Sequence, residues 1–334
     1  MEYEFQILTD SVSDLPRSWL NDHPQVRIID TPINISGGHQ NETYYHQTAD
    51  DFMAIDARVK NGGIRAMTSQ PQIFDPNGDS LTSVETITRR LLESGKDVLY
   101  VVMNGSLSGT CGMVSMLYRD INEEYQGSGH RAIYVDSHCM GTGLALLIME
   151  LWAAYERGEV LNVGEMADFV MKNRGYVGHF FTWGELSYIR KSGRVDAVRA
   201  MAANLLGIRL IGAAEYIDDE TRKLEHVNPH TFVRGISRWA DIIGIYAQRH
   251  IADPHGTIIV AHGNVPRDAD IVTCKLMDYL PQANYLTGSD WRCGAGIQCH
   301  GGPTSLHVNF MTDRIGYKES ATREFIDIIR NYRK

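Results

Sequence analysis

Short apolar runs alternate with amphipathic segments through the first half of the chain, and this alternation limits the folds open to it. Four runs predict strands, at residues 5–8, 64–67, 98–103 and 132–135. Five segments predict helices, at residues 16–21, 50–60, 84–94, 110–118 and 141–157. This order is typical of a mostly parallel sheet flanked by crossover helices, so we expect an α/β fold.

The pattern changes after about residue 176, where longer mixed stretches replace the alternation. Because 334 residues are enough for two cores, we expect an N-terminal α/β domain over 1–176 and a C-terminal one over 177–334. The second domain should hold a mixed or antiparallel sheet, with a β-hairpin formed by residues 210–216 and 224–227. Its other predicted elements are strands at 257–261 and 306–310 and helices at 186–206, 231–249, 269–279 and 323–332.

Charge and cysteine content narrow the class of protein. The formal net charge of -9 argues against general attraction to nucleic acid or to an anionic membrane surface. Residues 1–5 include two acids and no apolar segment, and no stretch is long enough to span a bilayer, so we expect neither a signal peptide nor integral membrane association. Five cysteines without a CxxC pair suggest reduced thiols, and we expect a cytoplasmic protein without a metal or other cofactor.

Hydroxyl-bearing loops follow all four predicted strands of the first half. They are Thr9-Asp10-Ser11, Thr68-Ser69-Gln70-Pro71, Ser106-Leu107-Ser108-Gly109-Thr110 and Asp136-Ser137. Ligands of open parallel sheets bind outside the carboxyl ends of the strands, where hydroxyls and a helix N-terminus near Thr110 would receive an anion. Because lysine and arginine are absent from these loops, a carboxylate is favoured over a polyphosphate. For the first and last loops, simple turn and capping roles are the alternative.

The ordered set of motifs resembles the DegV family. The matching segments are residues 7–16, Thr68-Ser69-Gln70-Pro71, Leu107-Ser108-Gly109-Thr110, Val135-Asp136-Ser137, residues 186–194 and His300-Gly301-Gly302-Pro303. The resemblance covers essentially the whole chain. It implies a protein that binds a long-chain fatty acid between its two domains without transforming it. It also implies presentation of the acyl carboxylate to a fatty acid kinase in bacteria that have that partner.

The resemblance also assigns residues. It implies that Thr68, Ser108 and His300 hydrogen-bond the ligand carboxylate and that Arg194 is a candidate contact for a partner. The supporting polar loops contribute Asp10, Ser11, Ser69, Gly109 and Thr110. The acyl tail needs an apolar tunnel, for which the candidates are Met67, Met103, Met113, Met116 and Phe181, each of which could instead be core packing.

Three segments depart from the family pattern. Asn104-Gly105 stands where two serines are usual, Pro229 lies in a segment that usually carries an arginine, and Pro303-Thr304 lacks the usual glycine after the proline. These differences bear on transfer to a kinase more than on lipid binding.

An acyl hydrolase is the main alternative function. In that reading Ser108 is the nucleophile, His300 the base, and Asp136 or Asp10 the residue that orients the base. The chain lacks the Gly-x-Ser-x-Gly nucleophile elbow, which disfavours this alternative.

Overall fold

The computed structural model describes residues 4–31, 33–36, 42–44, 65–68, 72–74, 81–192, 207–216 and 224–332. The strands of the first half are β1 (Phe5–Asp10), β2 (Val26–Ile29), β3 (Ile33–Ser36), β4 (Glu42–Tyr44), β5 (Arg65–Thr68), β6 (Gln72–Phe74), β7 (Leu81–Ser83), β8 (Asp97–Val102) and β9 (Ala132–Asp136). Its helices are α1 (Arg17–Asp22), α2 (Val84–Glu93), α3 (Thr110–Glu124), α4 (Thr142–Glu156) and α5 (Val163–Asn173).

The second half begins with the strand β10 (Val177–Trp183). It continues with α6 (Ser187–Ser192), β11 (Ile208–Tyr216), β12 (Leu224–Arg234), α7 (Ile236–His250), β13 (Thr257–His262), α8 (Pro266–Tyr279), β14 (Asn284–Leu286), α9 (Ala295–Gly301), β15 (Ser305–Met311) and α10 (Lys318–Tyr332). The proposed domain boundary at residue 176 falls immediately before β10.

A four-stranded parallel sheet forms the centre of the first half, in the order β2-β1-β8-β9. The strands β1 and β8 are almost wholly buried, because α4 and α5 pack on one face of the sheet and α2 and α3 on the other. Continuous apolar runs such as residues 98–102 are what burial on both faces requires. The predicted parallel α/β fold is confirmed.

One predicted strand lies in a different sheet. The run at 64–67 corresponds to β5, which pairs antiparallel with β3 in the small sheet β4-β3-β5, with Ile33 opposite Thr68. Its place in the parallel sheet belongs to β2, a four-residue strand too short and too polar at Arg27 to be recognised by its pattern. The loop after Thr68 is therefore not an edge loop of the parallel sheet. The predicted helix at 50–60 lies outside the described residues.

A six-stranded mixed sheet forms the centre of the second half, in the order β12-β11-β10-β15-β13-β14. Among these strands only the β13–β14 pair is parallel. This confirms both the mixed sheet and the β11–β12 hairpin. The predicted helix at 231–249 starts later, at Ile236, because Thr231 and Val233 belong to β12 and Gly235, with a φ of 83°, redirects the backbone. Of the predicted helix at 186–206, the structure describes α6.

The helix α4 joins the two sheets. It packs against α5 on one side and against β10, β13 and β15 on the other. Its sequence TGLALLIMELWAAYE is apolar nearly all round, as expected for a helix buried on every face. None of the described helices combines the length and apolar composition needed to cross a bilayer.

Candidate functional site

The carboxyl ends of β1, β8 and β9 meet at one edge of the parallel sheet, and Asp10 fastens two of them together. Its carboxylate accepts hydrogen bonds from the Tyr100 hydroxyl and from the Met103 N–H, both at 2.6 Å. Burial raises the pKa of Asp10 from 3.8 to about 6, although both hydrogen bonds act in the opposite direction. Because its acceptors already have protein partners, Asp10 supports the site without facing a ligand.

The residues Asn104 and Gly105 form a turn that is stabilised by hydrogen bonds to polar side chains. The Asp136 carboxylate accepts hydrogen bonds from the N–H groups of Gly105 and His138, at 3.1 and 3.0 Å. A Cβ atom at residue 105 would lie 2.6 Å from Asp136 Oδ2, so a larger residue there would displace the Asp136 side chain. The Asn104 side chain accepts from the Ser106 N–H at 3.0 Å. The departure from two serines thus gives a turn held by Asp136 and Asn104.

The loop before α3 presents the Ser108 hydroxyl. Ser108 Oγ lies 2.8 Å from Thr110 Oγ1 and accepts from the Thr110 N–H at 3.3 Å. Gly109 is exposed, and Thr110 begins the helix. On the neighbouring loop, Ser11 Oγ accepts from the Thr31 N–H at 3.0 Å. Ser108 therefore sits at the positive end of α3, fixed by its own loop.

A contact between residues 280 positions apart brings α9 to this edge. The Asp14 carboxylate accepts a hydrogen bond from the N–H of Gly294, the residue just before α9, at 2.9 Å. Burial raises the pKa of Asp14 well above its usual range, opposed by this hydrogen bond. The last turn of α9 carries His300, and the same helix packs against β5, the strand of Thr68.

These elements enclose a cavity of about 650 Å³, a volume that includes its opening to solvent. Both Ser108 and His300 line it, together with His307 and Thr31. Most of its wall is apolar, formed by Val12, Met103, Leu107, Met140, Trp183, Ile189 and Ile297. Among the described residues, no charged carboxylate, lysine or arginine lines it. The polarity of this wall suits an amphiphile with a small head group.

The structure thus brings together two of the three residues assigned to the carboxylate. Of the third, Thr68, it describes the backbone in β5 but not the side chain, and both Ser69 and Arg194 lie outside the described residues. Asp10, Ser11, Gly109 and Thr110 support the surrounding loops and do not line the cavity. The ligand-binding roles of all these residues stay predictions.

The residues predicted to line the acyl tail lie in different parts of the structure. Met103 lines the cavity, whereas Met113 packs against the core under α3 and Phe181 is fully buried beside Trp183. Met116 is 59% exposed and belongs to neither. The side chain of Met67 is outside the described residues.

Sequence reasoning missed His307 and Trp183. His307 is buried, and its Nδ1 lies 3.1 Å from His179 Nε2. Burial lowers the pKa of His307 to about 4, so the ring is neutral at pH 7. The strand β15 has a polar residue at every second position, namely Ser305, His307 and Asn309, although the strand is buried. This pattern could have indicated a polar site in the sequence.

Trp183 forms another part of the cavity wall. It is 3% exposed, and within the described part of the chain its indole N–H has no hydrogen-bond acceptor. The nitrogen lies near Gly301, since a Cβ atom on that glycine would be 2.7 Å from Trp183 Nε1. The cavity therefore holds a donor that a ligand oxygen could satisfy.

No cluster of three or more histidine, cysteine, aspartate or glutamate side chains that could hold a metal ion occurs in the described ranges. All five cysteines are free thiols.

Comparison with known proteins agrees with this architecture. A family model described as "Uncharacterised protein, DegV family" matches residues 4–313. A DegV domain-containing protein of Clostridium perfringens is 24% identical over 315 residues, which cover 93% of this chain and 98% of the relative.

Two solved structures share the fold. A DegV family protein from Eubacterium eligens loaded with heptadecanoic acid has a TM-score of 0.71 and 16% identity, over 92% of this chain and 100% of its own. The Fatty Acid Kinase B3 protein of Streptococcus pneumoniae loaded with linoleic acid has a TM-score of 0.69 and 16% identity, over 93% of this chain and 100% of its own. The family match spans nearly the whole chain, and this protein belongs to the DegV family.

Proposed function

We propose that this protein binds one long-chain fatty acid in the cavity between its two sheets and does not transform it. The observation that carries the proposal is the cavity itself, which is apolar over most of its wall and has Ser108 and His300 on its polar part. Ser108, His300 and Thr68 hydrogen-bond the carboxylate, and the acyl tail lies along Met103, Met140 and the other apolar residues. The bound fatty acid is the ligand, and no cofactor is required.

The energetics favour an acyl chain. Burial of each methylene group contributes on the order of 0.8 kcal/mol, so a long tail contributes roughly 10 kcal/mol before the costs of ordering and association. The head group meets hydroxyl and imidazole groups and the N-terminal end of α3 instead of a lysine or arginine. A single negative charge can be held in this way, whereas a polyphosphate would be left without counter-charges.

The two solved structures of similar fold support the same ligand class, since the Eubacterium eligens and Streptococcus pneumoniae proteins were crystallised with fatty acids. We extend the proposal to a partner: the protein acts in the cytoplasm and presents the carboxylate to a fatty acid kinase, with Arg194 as one contact. The Streptococcus pneumoniae neighbour, a Fatty Acid Kinase protein by name, supports this extension.

The geometry around Ser108 supports binding over hydrolysis. Within the described residues its hydroxyl bonds to Thr110 and has no imidazole partner. The two aspartates considered as orienting residues, Asp10 and Asp136, are occupied by the backbone and hydroxyl donors described above. A nucleophile would need His300 within hydrogen-bond reach of Ser108.

Replacing Ser108 with alanine is expected to weaken fatty-acid binding about tenfold, because one hydrogen bond to a charged group is lost. The dissociation constant for oleic acid, measured by displacement of a fluorescent fatty acid, checks this. The matched control is Ser106→Ala, which removes an exposed hydroxyl from the same loop outside the cavity. Equal affinity in the two variants would argue against a role for Ser108, and release of product from an acyl ester by the unaltered protein would favour the hydrolase.

A further inference from the structure

A second cavity lies next to His179, which is bonded to His307 in the wall of the first cavity. It has a volume of about 490 Å³, including its opening to solvent, and its lining comes from both halves of the chain. His138 and Arg174 line it from the first half, and Gly178, Tyr216 and Arg314 line it from the second. His179 also lines it and bonds to His307 of the first cavity, so the two cavities lie on either side of this pair.

Arg174 is the feature that distinguishes this cavity. It is partly buried, and its Nη1 donates to the backbone carbonyl of Asp136 at 2.7 Å. Within the described part of the chain it forms no ion pair, whereas Arg314 in the same cavity pairs with Glu324 at 2.5 Å. Among the described residues, most of the five guanidinium donors of Arg174 therefore have no protein acceptor, and the side chain is only partly exposed to solvent. A partly buried arginine of this kind is a receptor for an oxyanion.

His138 provides a second donor next to Arg174. Its backbone is in the left-handed region, with a φ of 54°, an uncommon conformation for a residue other than glycine that often occurs at functional sites. Its Nδ1 lies 2.7 Å from the Tyr216 hydroxyl. With the hydroxyl as the donor, the proton of the neutral ring is on Nε2. That nitrogen is 3.9 Å from Asp136 Oδ2, which is beyond hydrogen-bond distance.

Three acidic side chains lie around the cavity. Glu215 lines it and is buried, with Oε2 2.9 Å from His230 Nε2 but outside hydrogen-bond geometry. The Asp136 carboxylate accepts from the N–H groups of Gly105 and His138, and Glu324 is paired with Arg314. Arg174 has no ion-pair partner among the described residues.

We propose that this second cavity binds a small oxyanion, a carboxylate or a phosphate group, through the Arg174 guanidinium and the His138 Nε2–H. The site is separate from the fatty-acid cavity and spans the junction between the two sheets. An anion bound there holds the segment around His138 and Arg174 against the strand β11, which carries Tyr216.

The test is an NMR titration of the whole protein with sodium phosphate and, separately, with sodium acetate at constant ionic strength. The amide signals of Cys139 and Gly178, which line the cavity, should shift and saturate with one or both anions. Saturation with phosphate alone assigns a phosphate group, and saturation with acetate alone assigns a carboxylate. No saturable shift with either anion would overturn the proposal.

Two variants localise the site. Arg174→Gln is expected to raise the dissociation constant at least tenfold, since the charged donor is lost. Arg157→Gln is the control, because Arg157 is exposed and paired with Glu159 at 2.6 Å. If Arg174→Gln does not fold, His138→Asn serves instead, since asparagine tolerates the left-handed backbone, and it should weaken binding at least threefold. Unchanged affinity in the folded variant would refute the assignment, and fatty-acid content should stay that of the unaltered protein.

Discussion

Replacing Met140 with tryptophan is expected to lower the affinity for a long-chain fatty acid more than a hundredfold. Met140 lines the cavity and packs between the core of the parallel sheet and the cluster around Phe181 and Trp183. The larger indole would occupy space that the proposed tail fills. Exclusion of four methylene groups corresponds to about 3 kcal/mol, which is more than two powers of ten in the dissociation constant.

The same substitution at Met149 is the matched control. Met149 packs against the same core but does not line the cavity, so Met149→Trp should bind fatty acid nearly as tightly as the unaltered protein. Displacement of a fluorescent fatty acid measures both variants, and circular dichroism confirms that they are folded. A folded Met140→Trp protein that keeps full affinity would show that the tail lies elsewhere.

Replacing Asp10 with alanine is expected to lower the free energy of unfolding by about 3 kcal/mol at pH 7. The Tyr100 hydroxyl and the Met103 N–H are buried and would both lose their acceptor, at roughly 1–3 kcal/mol each. Because Met103 lines the cavity, the loop that carries Ser108 should also become less ordered. Urea denaturation followed by tryptophan fluorescence measures the change. A loss below about 0.5 kcal/mol would mean that Asp10 does not fasten the sheet edge.

The pH dependence of Asp10 has a definite sign. Since burial raises its pKa from 3.8 to about 6, the folded protein binds a proton that the unfolded chain has released between these values. The Asp10 contribution to stability is therefore full below pH 3.8 and is lost as the pH rises through 6. Asp10→Asn, which cannot titrate, should gain stability relative to the unaltered protein by roughly 2–3 kcal/mol between pH 4 and pH 7. A constant difference across this range would contradict the buried, proton-binding carboxyl.

Much of the fold could be predicted because the strands β1 and β8 are buried on both faces, and these two strands and the partly exposed β9 each contain a short apolar run. Because the ends of these strands could be located, the loops that follow them could also be predicted, including the loop that carries Ser108. The strand β5 was misassigned because an apolar run gives no information about its pairing partner, which is β3. The strand β10 was missed because Gly178, His179 and Thr182 interrupt the apolar run in its sequence VGHFFTW, although every residue in it is buried.

The complete site could not be derived from local patterns. The hydrogen bond from Gly294 to Asp14 joins segments 280 residues apart and brings His300 to the cavity of Ser108. Family resemblance supplied that pairing, and residue spacing could not. His307 and Trp183 lie on adjacent strands, β15 and β10, whose register places both residues on the cavity wall.

The most direct test of the central proposal is native mass spectrometry of the purified protein after incubation with an equimolar mixture of fatty acids, followed by extraction with organic solvent. We expect one noncovalently bound, chemically intact fatty acid per chain, with occupancy reduced in Ser108→Ala and absent in Met140→Trp. A protein that remains free of fatty acid under these conditions, or that returns a cleaved or modified acyl group, would contradict the proposal that this DegV protein is a fatty-acid carrier.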